Sequence, residues 1–446
     1  MVARARAVAF QILLEVSSTE AHSDELLRSR KVDALTAQDR ALATTLVLGT
    51  LRWQMKLDAR IRAFLSRPGV KLPAPVETAL RLGAYQIFYL DRIPDYAAIG
   101  ESVELVKQAG EIHAARMVNA VLRRLAGIPR ESSEQQTSTA AGIAEAFAHP
   151  AWMVERWTRF YGLEAAEAIC RFDQEPASVT IRLLDPVVER ELAGEGILLE
   201  PGEFLIAARR VVTGDVAGSK AFQQGRIRIQ DEGSQLVAEL AGVGSKILDT
   251  CAAPGGKTAI LAERNSDTAI TAWDISKRRL EAMRKLPPFG SDRIRLEVRD
   301  AAEAKLRPEY DLILCDVPCS GTGTIGRNPE IRFRVSEDAL VRHHARQVRI
   351  LSSALHGLAP GGHLLYSTCS LEAEENESVV AECLNANPGF IARSLADDIH
   401  SLAAKGVLSR ESAEHLSRSA FRDGFLHTIP GIHNCDGFFA ASITRG

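Results

Sequence analysis

The chain has 446 residues, enough for about three domains of roughly 150 residues each. Its formal net charge of −3 excludes binding to nucleic acid through a uniformly basic surface and leaves only local clusters of lysine and arginine for that role. No run approaches the ~18 apolar residues of a membrane span. Seven cysteines, an odd number without a secretory leader or zinc-finger spacing, predict a cytoplasmic, metal-free protein with free thiols.

Residues 1–129 have apolar side chains at intervals of three and four, which is the spacing of amphipathic helices. These positions are Leu42, Leu46, Gly49 and Trp53, followed by Val76, Leu80, Gly83 and Ile87. Packing in a core explains the pattern without any function. The pattern predicts an all-α helical bundle.

A polar stretch at 130–139 then interrupts the periodicity and has the composition of a flexible linker, which we place at 130–147. Residues 148–225 contain a helical pattern after His149, then strand-like runs at 179–183 and 204–206. This part of the chain is expected to form a small α+β module.

Residues 226–446 contain the most informative pattern, in which the apolar run 246–249 breaks into a loop of small residues before a helical pattern begins. The loop lets a ligand approach the backbone, and the helix start offers free N–H groups to it. Its residues are Cys251, Ala252, Ala253, Pro254, Gly255, Gly256 and Lys257. A phosphate-binding P-loop is disfavoured, because that pattern requires glycine at position 251.

Three carboxylates follow in order, each closing a strand-like run. They are Asp274 after 269–273, Asp300 after 294–299 and Asp316 after 310–315. Ligands of open α/β sheets bind at the carboxyl ends of the strands, and an acidic residue about 20 positions past the loop can accept the ribose hydroxyls of a cofactor. Asp274 has that position. Aspartates at such positions also cap turns, but three in register favour a binding site.

Two cysteines lie where loops should leave strands: Cys319 in the run 316–321 and Cys369 in the run 367–370. Free cysteine is usually a small buried apolar residue. Two thiols beside a nucleotide-type pocket nevertheless suggest covalent chemistry on a base.

The runs 249–258, 316–323 and 367–370, the last followed by 374–377, resemble the RNA cytosine-C5 methyltransferases. Their sequences are DTCAAPGGKT, DVPCSGTG, STCS and EENE. The resemblance implies a Rossmann-like class I methyltransferase domain at 226–446, with S-adenosylmethionine bound by residues 251–257, Asp274, Asp300 and Asp316. It also implies that module 148–225 is RNA-recognition-like and that the acceptor is a cytosine in RNA.

C5 of cytosine is a poor nucleophile until a thiolate adds to C6, and cysteine is the side chain best suited to that addition. The residues alone do not settle which cysteine attacks. DNA cytosine methyltransferases use a Pro-Cys dipeptide, here Cys319, whereas the RNA enzymes use Thr-Cys-Ser, here Cys369. The closer resemblance implies that Cys369 is the nucleophile, Cys319 assists release and Asp316 hydrogen-bonds the cytosine. Lys257 nearby would favour the thiolate.

The segments 80–86 and 118–124 resemble the helical RNA-binding domain of the antitermination factor NusB, which is fused to the bacterial small-subunit ribosomal RNA enzymes of the Sun/Fmu type. This resemblance implies an enzyme that methylates 16S rRNA, and we expect a monomer, although the sequence leaves the oligomeric state open. Two alternatives stay open: a transfer RNA cytosine-C5 methyltransferase, and a non-catalytic RNA-binding factor for ribosome assembly.

The loop 321–334 carries Arg327, Arg332 and Arg334 and follows Cys319 directly. We expect it to contact RNA. At the other end of the domain, the run 436–441 is expected to form the last strand of the sheet.

Overall fold

A computed structural model describes residues 2–67, 69–129 and 138–445. They form two compact units: Met1–Pro176 with Ile325–Arg334, and Ala177–Thr324 with Val335–Gly446. Of the predicted linker at 130–147, residues 130–137 lie outside the described residues, and Ala140–Ala146 forms a helix. The division of the sequence at 129, 147 and 225 stays a prediction.

The first unit is helical, as predicted for its larger part. Its helices are α1 (Arg4–Ser18), α2 (Ser23–Leu27), α3 (Arg30–Asp33), α4 (Ala37–Arg52), α5 (Gln54–Ala63), α6 (Ala74–Tyr89), α7 (Asp95–Gln108), α8 (Ala115–Ala126), α9 (Ala140–Ala146), α10 (Ala151–Tyr161), α11 (Leu163–Gln174) and the short α17 (Ile331–Arg334).

The core of this bundle confirms the predicted periodicity, since Leu46, Val76 and Leu80 are fully buried. Two glycines on the same faces permit close helix packing. A Cβ atom at Gly49 would collide with the ring of Tyr85, and one at Gly83 would lie 2.7 Å from Leu122 Cδ1. Glycine is therefore needed at both positions for steric reasons.

The segment Ile325–Arg334, which we call the strap, is part of this first unit although its sequence follows the Cys319 loop. Arg332 is 1% exposed and donates hydrogen bonds to the carbonyl oxygens of Arg52 and Ala148, both at 3.1 Å. Arg334 donates to the carbonyl of Val16 at the end of α1, at 2.9 Å. The expectation of RNA contact is therefore wrong for Arg332, because its guanidinium is buried among protein groups.

The strap is held by buried charges. Asp173 accepts a hydrogen bond from the backbone of Gly326, and burial raises its pKa to about 7 although the charges of Arg332 and Arg52 oppose the shift. His149 Nε2 lies 3.2 Å from Asp173 Oδ2. Burial in turn lowers the pKa of Arg332 to about 10. Each of these groups depends on the others for compensation, since an unpaired buried charge is costly.

The second unit contains a small antiparallel sheet and a larger mixed sheet. The small sheet has the order β2-β3-β1-β4. Its strands are β1 (Val179–Leu183), β2 (Leu198–Pro201), β3 (Ala208–Thr213) and β4 (Ile227–Ile229), with α12 (Val188–Gly194) and α13 (Lys220–Gln223).

The strand predicted at 179–183 is confirmed, but the one predicted at 204–206 is wrong. Glu232 explains the difference. Its carboxylate accepts hydrogen bonds from the backbone N–H groups of Glu203, Phe204 and Leu205, at 2.8, 2.7 and 2.7 Å. Donors that bind one carboxylate are not available to a neighbouring strand, so this stretch forms a turn.

The mixed sheet has the order β11-β12-β13-β9-β8-β5-β6-β7, with β10 paired to β13. Its strands are β5 (Lys246–Asp249), β6 (Ala269–Asp274), β7 (Ile294–Val298), β8 (Tyr310–Asp316), β9 (Leu358–Thr368), β10 (Phe390–Arg393), β11 (Phe421–Arg422), β12 (Phe425–Thr428) and β13 (Phe438–Arg445). The helices of this part are α14 (Glu232–Ala241), α15 (Gly256–Arg264), α16 (Lys277–Met283), α18 (Glu337–Gly357), α19 (Glu377–Ala386), α20 (Ala396–Ala404) and α21 (Arg410–Ser419).

Strands β5 to β9 run parallel where they pair, whereas β13 is antiparallel to β9. The predicted strands before all three aspartates, and the last strand, are confirmed. This is the doubly wound α/β arrangement of a Rossmann-like domain, in which ligands bind at the carboxyl ends of the parallel strands. No helix in the described part of the chain is long and apolar enough to cross a membrane.

We predict that Arg332→Met destabilises the first unit by about 3–5 kcal/mol, because it leaves Asp173 buried without its main compensating charge. Urea unfolding followed by circular dichroism measures the change. Arg62→Met, at an exposed position of α5, is the control and should change stability by less than about 0.5 kcal/mol. Equal stability of the two variants would contradict the role given to the strap.

Candidate active site

The two cysteine loops leave the sheet side by side because β8 and β9 are parallel neighbours. Asp316, the last residue of β8, is paired in register with Ser367 of β9. Each strand ends within three residues of a cysteine, and Cys319 Sγ lies 3.3 Å from Cys369 Sγ. Both residues are only partly buried. The sheet thus brings together the two thiols that the sequence singled out.

The Cys319 thiol holds its proton firmly. The pKa of Cys319 is raised well above its ordinary value, first by its hydrogen bond to Cys369, then by burial and by electrostatic interaction with Cys369 and Glu375. A thiol with a raised pKa keeps its proton. Cys319 can therefore donate in this S–H···S contact, although the geometry allows either sulfur to be the donor.

Lys257 and Asp316 form an ion pair next to the thiols. Lys257 Nζ donates to Asp316 Oδ2 at 2.7 Å, and Ser367 Oγ donates to Asp316 Oδ1 at 2.8 Å. Burial acts to lower the pKa of Lys257, but the charge and hydrogen bond of Asp316, with a contribution from Cys369, raise it overall. Lys257 is therefore a fixed cation whose field reaches Cys369. Asp316 is 28% exposed and keeps lone pairs for a further donor.

The small-residue loop 251–255 connects β5 to α15, and Gly255 is the N-cap with φ of +109°, a conformation that favours glycine. A Cβ atom at Gly255 would also lie 2.8 Å from the ring of Phe289. Asp249 at the end of β5 stabilises the loop. It accepts hydrogen bonds from Thr258 Oγ1 at 2.7 Å and from the N–H of Cys251 at 3.3 Å. Burial raises the pKa of Asp249 to about 7.

Asp274 lies at the carboxyl end of β6 and touches the small-residue loop. Its Oδ2 accepts from the N–H of Ala253 at 3.3 Å, and its Oδ1 accepts from the N–H of Ser276 at 2.7 Å and from Arg279 at 3.0 Å. Asp300 follows β7 and accepts from the N–H of Ala302 at 3.0 Å. Both aspartates thus make the turn contacts that such residues often make, and Asp274 in addition faces the loop.

These elements form one edge of the sheet. They are a loop of small residues, a helix N-terminus without a capping side chain, and an acidic residue at the end of the next strand, which are features typical of sites for adenosine-bearing cofactors. No group of three or more histidine, cysteine, aspartate or glutamate side chains in the described ranges has a geometry suited to a metal ion.

Sequence reasoning assigned no role to Glu375, which is fully buried beside the cysteines. It accepts hydrogen bonds from the N–H and hydroxyl of Ser320, from Ser370 Oγ at 2.5 Å and from Gln347 Nε2 at 3.0 Å. The two serines directly follow the two cysteines. An acidic residue shortly after Thr-Cys-Ser was the available signal in the sequence, but neither its burial nor its partners can be read from that pattern.

Comparison with known families divides the chain into two matched regions. Residues 241–444 match the model of the 16S rRNA methyltransferase RsmB/F family, and residues 3–127 match that of the NusB family. The predicted combination of a NusB-like bundle with a methyltransferase domain is confirmed.

Whole-chain relatives agree with this division. The probable ribosomal RNA small subunit methyltransferase B of Bacillus subtilis is 34% identical, covering 99% of this chain and 98% of that protein. The ribosomal RNA small subunit methyltransferase B of Pseudomonas putida is 32% identical, with 95% and 97% coverage. The crystal structure of PH0851 shares the fold, with a TM-score of 0.81 and 23% identity over 100% of this chain and 99% of that one. The chain therefore belongs to the family of small-subunit ribosomal RNA methyltransferases B, in which an RsmB/F methyltransferase domain follows a NusB domain.

Proposed function

We propose that this protein transfers a methyl group from S-adenosylmethionine to C5 of a cytosine in 16S rRNA through a covalent bond between Cys369 and C6. The observation that carries the proposal is the contact of two thiols, 3.3 Å apart, beside the Lys257–Asp316 pair. A hydrolase or a binding module has no need for two such thiols at one sheet edge.

The loop 251–257 and Asp274 are the groups we assign to the cofactor, which supplies an electrophilic sulfonium methyl group. Asp274 would accept hydrogen bonds from the ribose hydroxyls, as acidic residues at this strand position do. Backbone N–H groups at the start of α15 would bind the carboxylate of the methionine portion. Asp300 would contact the adenosine from the end of the next strand.

We assign the nucleophilic step to Cys369. An S–H donated by Cys319 to Cys369 and the fixed ammonium of Lys257 would both favour a thiolate at Cys369. Its addition to C6 moves an electron pair to C5, which can then take up the methyl group. Asp316 would accept a hydrogen bond from the cytosine edge through its remaining lone pairs.

In the release step, the bond between C6 and the Cys369 sulfur must break, and the sulfur must take back the negative charge. Loss of the C5 proton returns the electron pair to the C5–C6 bond and expels Cys369 as a thiolate. The S–H of Cys319 donates to that departing sulfur and lowers the cost of its charge. Cys319 therefore assists elimination, while attack depends on Cys369.

The substrate assignment rests on relatives and on the N-terminal bundle. The two relatives compared above are named as methyltransferases of the small ribosomal subunit, and the bundle matches the NusB family. These two points favour 16S rRNA over transfer RNA.

The target base must leave its stack in either RNA, because thiolate and sulfonium approach it from different sides.

We predict that Cys369→Ala abolishes methyl transfer, because it removes the proposed nucleophile. Cys319→Ala should instead accumulate enzyme bound covalently to RNA, because elimination loses its donor. Denaturing gel electrophoresis with labelled RNA detects the adduct. Cys170→Ala, which removes a buried thiol of the first unit, is the control and should behave as the parent protein. An adduct with Cys369→Ala and none with Cys319→Ala would reverse the two roles.

Asp274→Ala should weaken binding of S-adenosylhomocysteine about 10- to 100-fold, the range expected when hydrogen bonds to a charged group are lost. Isothermal titration calorimetry measures this directly and needs no RNA. Asp267→Ala, at an exposed position just before β6, should bind normally. Equal affinities for the two variants would remove Asp274 from the cofactor site.

Labelled S-adenosylmethionine offered with naked 16S rRNA, assembled small subunits and transfer RNA tests the substrate. We expect incorporation into small-subunit RNA, at a cytosine that bisulfite sequencing then identifies. Incorporation into transfer RNA alone would contradict the ribosomal assignment. Binding of RNA without any incorporation would favour the non-catalytic assembly factor.

A further inference from the structure

Glu375 connects the two cysteine loops through one buried carboxylate. Its Oε1 accepts from the N–H of Ser320 at 2.8 Å, and its Oε2 accepts from Ser320 Oγ and from Ser370 Oγ, the latter at 2.5 Å. Ser320 follows Cys319 and Ser370 follows Cys369. A single side chain thus binds the residue after each thiol.

A third element joins the same carboxylate. Gln347 of α18 donates to Glu375 Oε1 and to the carbonyl of Pro318, both at 3.0 Å. Pro318 precedes Cys319. The Cys319 loop is therefore held on both sides of its thiol, by Gln347 before it and by Glu375 after it.

The backbone that carries Glu375 is itself fixed to β9. Tyr366 Oη donates to the carbonyl of Glu375 at 2.6 Å. Asn376 Nδ2 donates to the carbonyl of Ser370 at 2.9 Å, and Thr368 Oγ1 donates to Asn376 Oδ1 at 2.5 Å. The carboxylate is thus anchored to the strand that ends in the Cys369 loop, and it extends from there to the Cys319 loop.

Several donors on one buried carboxylate make this arrangement cooperative. The donors described above are neutral groups. Removing the acceptor takes the carboxylate from the N–H of Ser320 and leaves the hydroxyls of Ser320 and Ser370, 3.1 Å apart, only neutral partners. Such networks rigidify the parts they connect when fully satisfied. The parts connected here are the two thiol loops, which must keep one separation while the base is attacked and then released.

We propose that Glu375 is a positioning residue that sets the distance between the Cys319 and Cys369 thiols, and through that distance the rate of the methyl transfer proposed above. It sets this distance through the two serines and does not touch the base. The methyl-transfer part of this inference rests on the proposed function, whereas the distance between the thiols can be measured without RNA or cofactor.

The test uses dibromobimane, a reagent with two bromides that each thiolate displaces in turn. Each displacement forms one C–S bond and releases bromide, while the thiol proton passes to the buffer. When one reagent molecule reacts with both Cys319 and Cys369, it cross-links them; we call this second displacement closure, and peptide mapping identifies it. The rate of closure reports the effective concentration of one thiol at the other. Thiols already in contact have nearly the highest effective concentration, so releasing the loops should lower it.

We expect Glu375→Ala to slow closure at least 10-fold and to lower kcat at least 100-fold, with the KM for S-adenosylmethionine changed less than 3-fold. Glu375→Gln keeps one acceptor oxygen and should lie between that variant and the parent. The control is Glu382→Gln on α19, whose carboxylate is 58% exposed and pairs with His344. It should match the parent protein in both measurements.

Closure at the parental rate in Glu375→Ala would overturn the proposal, whatever happens to methyl transfer. Slow closure in a protein whose parent form transfers no methyl group would support the positioning role and refute the proposed function. If Glu375→Ala fails to fold by circular dichroism, the double variant Ser320→Ala with Ser370→Ala removes only the hydroxyl donors. Unchanged closure in that folded double variant would also refute the proposal.

Discussion

The parallel pairing of β8 with β9 is the constraint on which the candidate site depends. It aligns Asp316 with Ser367, so the loops that follow these two strands begin at the same edge of the sheet. Cys319 and Cys369 are 50 residues apart in sequence and meet only because of this pairing. Neighbouring β5 and β6 add the small-residue loop and Asp274 to the same edge. The chemistry therefore follows from strand order, as in other open α/β sheets.

Buried charge is managed differently in the two units. In the second, Lys257 and Asp316 form a compact pair beside partly exposed thiols, where a fixed field can act on a reacting sulfur. In the first unit, buried Arg332 of the strap donates to the carbonyl of Arg52, and buried Asp173 accepts from the backbone of Gly326. We propose that the paired charges serve catalysis in the second unit, whereas those of the first unit serve folding. Burial and partners, more than residue identity, distinguish the two uses.

The local sequence pattern was sufficient to predict secondary structure and burial wherever a residue's environment is set by its near neighbours in sequence. The strands before Asp274, Asp300 and Asp316 and the buried face containing Leu46 and Leu80 were predictable for that reason. Long-range contacts were not predictable. Glu232 binds the N–H groups of residues 203–205, the strap buries an arginine that looked available to RNA, and Glu375 joins two serines 50 residues apart in sequence. Each case involves a polar side chain that binds distant backbone or hydroxyl groups.

The proposed bond between the sulfur of Cys369 and C6 of the target base can be trapped. RNA in which the target cytosine carries fluorine at C5 tests it, because fluorine cannot leave as a proton does and the adduct is trapped after methyl transfer. Protease and nuclease digestion followed by mass spectrometry identifies the modified peptide. We predict a methylated fluorocytidine nucleotide attached to Cys369. Attachment to Cys319, or a trapped complex with neither cysteine modified, would contradict it.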